Sequence, residues 1–354
     1  MKPGEFYEVQ PDGRYRFRID HHLINDANTC DRYFEFRHMP AAPAGGVADG
    51  RVWSQKHDNI KTRLGSWWSR TMELFYREMA FGKYPPIEHI MRFAADAWTE
   101  LEMNALEPQD PEVFAKFGGL DGAVTMAIEY YDAFAATHFR DWQVVGAELG
   151  FGWSDEVFLG EDDRIVVNYG GKPDLVILDR GSNMIMPLDF KTKDNVPGNA
   201  NVMYKPHPQT AGYIFALREL LRQNDKMRPY DKGGKKLLSG LVEPTKCVIL
   251  VCARFRPTDK PRSGVRKPRF LPVYPTYTTD EIEEWRVSVM EKCRRLRESI
   301  ERKYFPPRES ACHLYYNGCG FRRVCSTPAG ARNIVLAADF IRKEPWIPYS
   351  PEEE

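Results

Sequence analysis

The sequence predicts an α/β protein, a mixed sheet accompanied by a helical lobe, and three stretches predict it. A hairpin reads across residues 171–193, helix-compatible apolar spacing runs from about Gln55 to Arg140, and Val248–Cys252 is apolar on both faces. The last is the pattern of a central strand covered on each side. At 354 residues and 42 % hydrophobic content, the chain has room for one large domain or two. Lysine plus arginine and aspartate plus glutamate each number 50, so the formal net charge is zero. Any surface for nucleic acid must then be a local stripe, which counts against avid nonspecific binding by the whole molecule. No apolar run reaches the roughly 18 residues of a membrane span, and nothing resembles a signal peptide. These features predict an intracellular, cytoplasmic protein with no membrane partner. Its seven cysteines read as thiols or metal ligands rather than disulfides.

In chain order, residues 1–54 form an N-terminal segment in which Asn25 or Asp26 caps a short helix carrying Cys30, Tyr33 and Phe34. Taken alone, Cys30 reads as a small buried hydrophobe. Residues 40–50, rich in Pro, Ala and Gly, read as a connector. Residues 55–140 are a helical lobe: Leu64–Met79, Pro86–Leu106, and Pro111–His138 interrupted at Gly118-Gly119. Trp67, Trp68, Phe75 and Tyr76 are core candidates there. Residues 141–256 are the α/β core, with strands Val144–Phe151 and Arg164–Asn168, the hairpin, a helix His207–Arg222 and a strand Lys246–Cys252. Cys247 and Cys252 fall inside that last run and read as core. Residues 257–330 hold a Lys/Arg-rich loop (Thr258–Phe270), a charged helix (Asp280–Tyr304) with Cys293 packed inside it, and a cysteine-rich run. The loop reads as a solvated linker or as a track for a phosphate backbone. Residues 331–354 are a tail ending in acidic residues.

The hairpin carries the chemistry. Two apolar runs, Pro173–Leu178 and Met184–Leu188, flank a turn centred between Gly181 and Ser182. Opposed residues then have numbers adding to 363, as Asp174 and Asp189 do. Such residues share a face with Cβ atoms roughly 5 Å apart, and period two puts Lys191 on that face as well. Two facing carboxylates repel unless a cation lies between them. Oxygen ligands of this kind suit Mg²⁺ or Mn²⁺, and phosphodiester hydrolysis is the matching chemistry. A solvated D-x-K face is the plain alternative, but carboxylates set in apolar strands are seldom buried without partners.

The ordered set resembles the PD-(D/E)xK nuclease superfamily, with Pro173-Asp174 followed by Asp189-Phe190-Lys191. Glu148 resembles its upstream acidic residue, and Gln209 with Tyr213 resembles the Q-x-x-x-Y motif of RecB-type nucleases. That resemblance implies Asp174 and Asp189 as metal ligands, with Glu148 assisting or binding a second metal. It also implies Lys191 as the residue positioning water, and Gln209 and Tyr213 as braces that touch the DNA strand. The run Leu64–Glu73 resembles the family helix that bears a metal-binding histidine, a position occupied here by Ser69.

Three cysteines, Cys312, Cys319 and Cys325, are spaced C-x₆-C-x₅-C and need a fourth thiolate, for which Cys30 is the candidate. This arrangement resembles the [4Fe–4S] staple of CRISPR-adaptation nucleases and of the AddB nuclease domain. Zinc pairs favour tighter spacing, cysteines without any metal are a further reading, and His313, beside Cys312, reads as exposed rather than as a competing ligand. The whole resemblance implies a restriction-endonuclease-like core, a DNA exonuclease in recombination, repair or processing, and a helicase, recombinase or integrase as the partner class. An endonuclease of the same superfamily and a non-catalytic DNA-end-binding protein, suggested by Ser69, are the alternatives.

Overall fold

A computed structural model describes residues 6–40, 50–55, 60–80, 84–158, 164–223, 241–257, 268–313 and 319–345. Most of the connector, residues 258–267 of the basic loop, and the acidic end lie outside the described residues.

The described strands are β1 Tyr7–Val9, β2 Tyr15–Ile19, β3 Val52–Gln55, β4 Trp142–Ala147, β5 Phe151–Phe158, β6 Arg164–Gly171, β7 Leu175–Asp179, β8 Met184–Lys193, β9 Val248–Ala253, β10 Phe270–Val273 and β11 Phe340–Lys343. The helices are α1 His21–Thr29, α2 Asp31–His38, α3 Ile60–Ala80, α4 Ile87–Glu100, α5 Pro111–Phe117, α6 Gly119–Asp141, α7 Ala200–Met203, α8 Pro208–Gln223, α9 Thr279–Arg302, α10 Arg322–Cys325 and α11 Arg332–Asp339. The protein is therefore mixed α/β. No described helix is long and apolar enough to cross a membrane.

Two compact units interleave along the chain. The first comprises residues 58–149 and 172–282. Its five strands run β10-β9-β8-β7-β4, antiparallel except for the parallel β8–β9 pair, so the sheet is mixed. β9 is buried at every position, which explains its unbroken apolar sequence. Helices α3, α4, α5 and α6 pack over one core with the sheet, through Trp67, Trp68, Trp98, Phe75 and Tyr130. Trp67 donates its indole N–H to the Ala94 carbonyl at 2.9 Å, which satisfies the polar edge of a buried ring. The predicted break at Gly118-Gly119 is real: Gly118 stands at φ 91°, a left-handed position that ends α5 without a Cβ penalty.

The second unit comprises residues 1–57, 150–171 and 283–354. It holds the sheet β1-β2-β6-β5 and the antiparallel pair β3–β11. Arg164–Asn168, expected beside the hairpin in one core, instead extends to Gly171 and pairs with β5 and β2. Eight cross-strand pairs with β5 and five with β2 set that allegiance, a long-range choice on which local alternation is silent.

Inside the first unit, His138 is buried against Trp142, with ring centroids 3.7 Å apart, and its Nδ1 meets the Tyr76 hydroxyl. Tyr76 also bonds Tyr130 at 2.6 Å. Burial drives the His138 pKa down to about 3. The folded state thus resists a proton that the unfolded chain accepts near pH 6.5, so stability is complete above that pH and is lost progressively toward pH 3. At about 1.4 kcal/mol per unit, His138 alone should remove about 3 kcal/mol by pH 4. Denaturant titrations at pH 7 and pH 4 should show a markedly smaller loss in His138→Phe than in the parent.

Candidate functional site

The hairpin register delivers the carboxylates together. Leu175 faces Leu188 and Ile177 faces Met186, pairs whose numbers add to 363, so Asp174 precedes β7 in register with Asp189. A four-residue turn at 180–183 closes the hairpin, with Asn183 left-handed at φ 57°. Asp189 is buried, 3 % exposed. Lys191 Nζ lies 2.7 Å from Asp189 Oδ2, an ion pair. The other oxygen, Oδ1, accepts from Gln209 Nε2 at 2.8 Å. Gln209 and Tyr213, one turn apart on α8, are themselves bonded at 3.0 Å, and the Tyr213 hydroxyl donates to the Lys172 carbonyl at 2.9 Å. Asp174 Oδ2 accepts the Phe190 backbone N–H at 2.6 Å.

The electrostatics follow from crowding. Burial, then the Asp189 charge, pushes the Asp174 carboxyl well above its usual range. Burial pulls the other way on Lys191, but Asp189 and Asp174 outweigh it and raise the ammonium. One lysine therefore serves two carboxylates.

Glu148 does not lie within a strand as expected. β4 ends at Ala147 after a bulge between Val144 and Gly146, and Glu148 follows at φ 53°. A bulge re-aims the chain at a strand end, and a left-handed non-glycine residue costs about 1 kcal/mol or more. Its backbone N–H donates to the Asp174 carbonyl at 3.0 Å, tethering Glu148 to the hairpin. Burial, then the neighbouring Glu73, raises its carboxyl to about 7.

Glu73 is the acid that the sequence reading missed. It lies on α3 one turn beyond Ser69 and two beyond Gly65, and a Cβ on Gly65 would approach Thr192 Oγ1 of β8 to 3.1 Å. Residues four apart share a helix face, so the stripe Gly65, Ser69, Glu73 runs from β8 toward Glu148. Tyr204 and His207, on the link between α7 and α8, were also missed, because short connectors have no periodicity to read. Electrostatically, both feel Lys191 and Asp189.

The four candidate cluster cysteines fall in the second unit. Cys30 joins α1 to α2, and its Sγ accepts the Arg308 N–H at 3.3 Å. Cys319 N–H donates to the Cys312 carbonyl at 3.1 Å. Burial raises the Cys319 thiol, with Cys312 and Cys30 adding to it. Cys325 is raised by burial and by Cys319, Cys30 and Cys312, against the pull of Arg32. Cys319 and Cys325 thus each lie within electrostatic reach of Cys30 and Cys312. The β3–β11 pair and a cluster of Phe36, Trp53, Phe321 and Phe340 hold the two ends of the chain together around them. Cys247, Cys252 and Cys293 are fully buried core residues, and His313 is exposed.

Among the described residues, the one group with three ligand atoms mutually within 4.8 Å is Asp20, His21 and His22, at the start of α1. Neither the four cysteines nor the hairpin carboxylates form such a group among the described residues. A groove of about 770 Å³ opens at the turn end of the hairpin, lined by His138, Trp142, Asp179 and Tyr274, away from the carboxylates. No protein-family model matches this chain, and no curated protein matches it.

Proposed function

We propose that this chain is a metal-dependent deoxyribonuclease of the PD-(D/E)xK type, acting as an exonuclease on DNA ends. The observation that supports it is the convergence of buried Asp189 with half-buried Asp174 and Lys191 at one end of the hairpin, braced by Gln209 and Tyr213. The donor set fits a hard divalent cation: three carboxylates are crowded here, and those of Asp174 and Glu148 are both raised. Asp174 and Asp189 would hold Mg²⁺ or Mn²⁺, with Glu148 beside them. When bound, the ion would polarise a phosphoryl oxygen and acidify water. Lys191 presents its ammonium where charge grows on the phosphate. Gln209 fixes the Asp189 carboxylate while Tyr213 fixes Gln209. Cys30, Cys312, Cys319 and Cys325 would hold a structural [4Fe–4S] cluster.

Gln209→Ala should lower cleavage about 10–100-fold, the range for partners that orient a ligand, while Tyr213→Phe should do less. Closed-circular DNA tests the mode of attack. An exonuclease leaves it intact and degrades the linear form, whereas cutting of circles would establish an endonuclease. Ser69 favours a second reading, a DNA-end-binding protein without catalysis. It is supported if DNA binding survives Lys191→Ala and the parent cuts nothing.

A further inference from the structure

The link between α7 and α8 is fastened by its backbone. Tyr277 Oη donates to the Tyr204 carbonyl at 3.2 Å and accepts the His207 N–H at 3.1 Å. Thr210 Oγ1 bonds Tyr277 Oη at 2.7 Å and the His207 carbonyl at 2.9 Å. Two side-chain tips on this link are nevertheless unsatisfied: the Tyr204 hydroxyl and His207 Nδ1 are buried with no hydrogen-bond partner among the described residues. Tyr204 is only 4 % exposed. A buried polar atom without a partner is unfavourable unless a ligand completes it. Both tips sit in the field of Lys191 and Asp189, and His207 also feels Lys193. Lys193 is half-buried, crowded by Lys191 and Arg254, and has no ion pair among the described residues. Two buried hydrogen-bonding groups in the field of Lys191, one of them also near Lys193, fit an oxyanion.

We infer that Tyr204 and His207, with Lys193, form a receptor for a phosphate oxygen of the nucleic-acid strand, seating the phosphodiester against Lys191. The inference rests on the nuclease reading of the same site and adds to it the groups that receive the strand. Tyr204 donates its O–H, and His207 donates from Nδ1. Their role is to bind and position. A polar group kept idle in the free protein to serve a ligand gives a signature that a structural hydroxyl does not: its removal weakens binding without loss of stability.

The test uses the full-length protein and a fluorescein-labelled single-stranded oligonucleotide. Binding is measured in EDTA, cleavage in Mn²⁺ and Tm without DNA, for the parent, Tyr204→Phe and His207→Gln. Each variant should bind about tenfold more weakly, raise KM more than it lowers kcat, and keep or raise the parent Tm. Parent-like binding in both variants would overturn the receptor and leave a cutting parent, hence the nuclease reading, untouched. A lower Tm in Tyr204→Phe would make the hydroxyl structural and also overturn it. A parent that neither binds nor cuts the strand removes the nuclease reading and the receptor together.

Discussion

Asp174→Asn is expected to lower metal-dependent DNA cleavage by about 10³-fold or more, while the metal-free protein stays as stable as the parent or becomes more so. The loss follows from removing a ligand charge where a divalent ion is to be held. The stability follows from the Asp174 pKa, which burial and Asp189 hold well above its usual 3.8. For a carboxyl raised in the folded state, the stabilising contribution is present below about pH 4 and is lost as pH rises through the folded pKa. Above that pH the ionised form is a burden on the fold. Asparagine removes the charge and keeps an oxygen to accept the Phe190 N–H. A gain of about 1–2 kcal/mol at pH 8 is the size usually found on relieving strained sites. Thermal unfolding in EDTA beside a cleavage assay in Mn²⁺ measures both halves. A variant that is inactive because it is unfolded would contradict this account of the site.

Cys325→Ser should abolish the visible colour of protein purified without oxygen and should lower its soluble yield at the same time. Cys325 feels Cys319, Cys30 and Cys312 near the β3–β11 pair that joins the two ends of the chain, so if these thiols hold a cluster, a lost ligand would release a cross-link as well as a cofactor. Structural metal sites contribute folding free energy directly, about 10 kcal/mol or more in small zinc domains. Cys319→Ala should behave in the same way. Cys293→Ala is the control: its sulfur is buried within α9, so that variant should keep its colour and lose about 1 kcal/mol of packing. Iron and sulfide content together with soluble yield decide the matter. A colourless Cys319→Ala protein that stays fully folded and active would remove the structural role of the cluster.

The legible parts of this sequence were those with a short period. Alternation about a Gly-Ser turn is enough to place Asp174 against Asp189, because the turn fixes which residues of the two strands face each other. Spacing of four put Gln209 over Tyr213 on α8, and a hydrogen bond joins them. The Trp-rich core of α3 was equally plain. What stayed hidden depends on distant pairing. β6 joins β2, far earlier in the chain, through a register that local alternation does not encode. Glu148 looked like a strand residue because the apolar run continues past it, while a bulge ends the strand first. Glu73 approaches Glu148 only through the packing of α3 on the sheet. The electrostatic reach of Cys325 to Cys30 spans nearly the whole chain, and spacing alone cannot supply it.

The central claim is that this hairpin hydrolyses DNA phosphodiesters, and one measurement addresses it most directly. Protein purified without oxygen is incubated with end-labelled linear DNA, single- and double-stranded, in Mg²⁺, Mn²⁺ or EDTA, beside Lys191→Ala. The account predicts release of label that requires the metal and falls by about 10²–10³-fold in Lys191→Ala. Cleavage that persists unchanged in Lys191→Ala, or none from a parent that still carries its cluster, would contradict it.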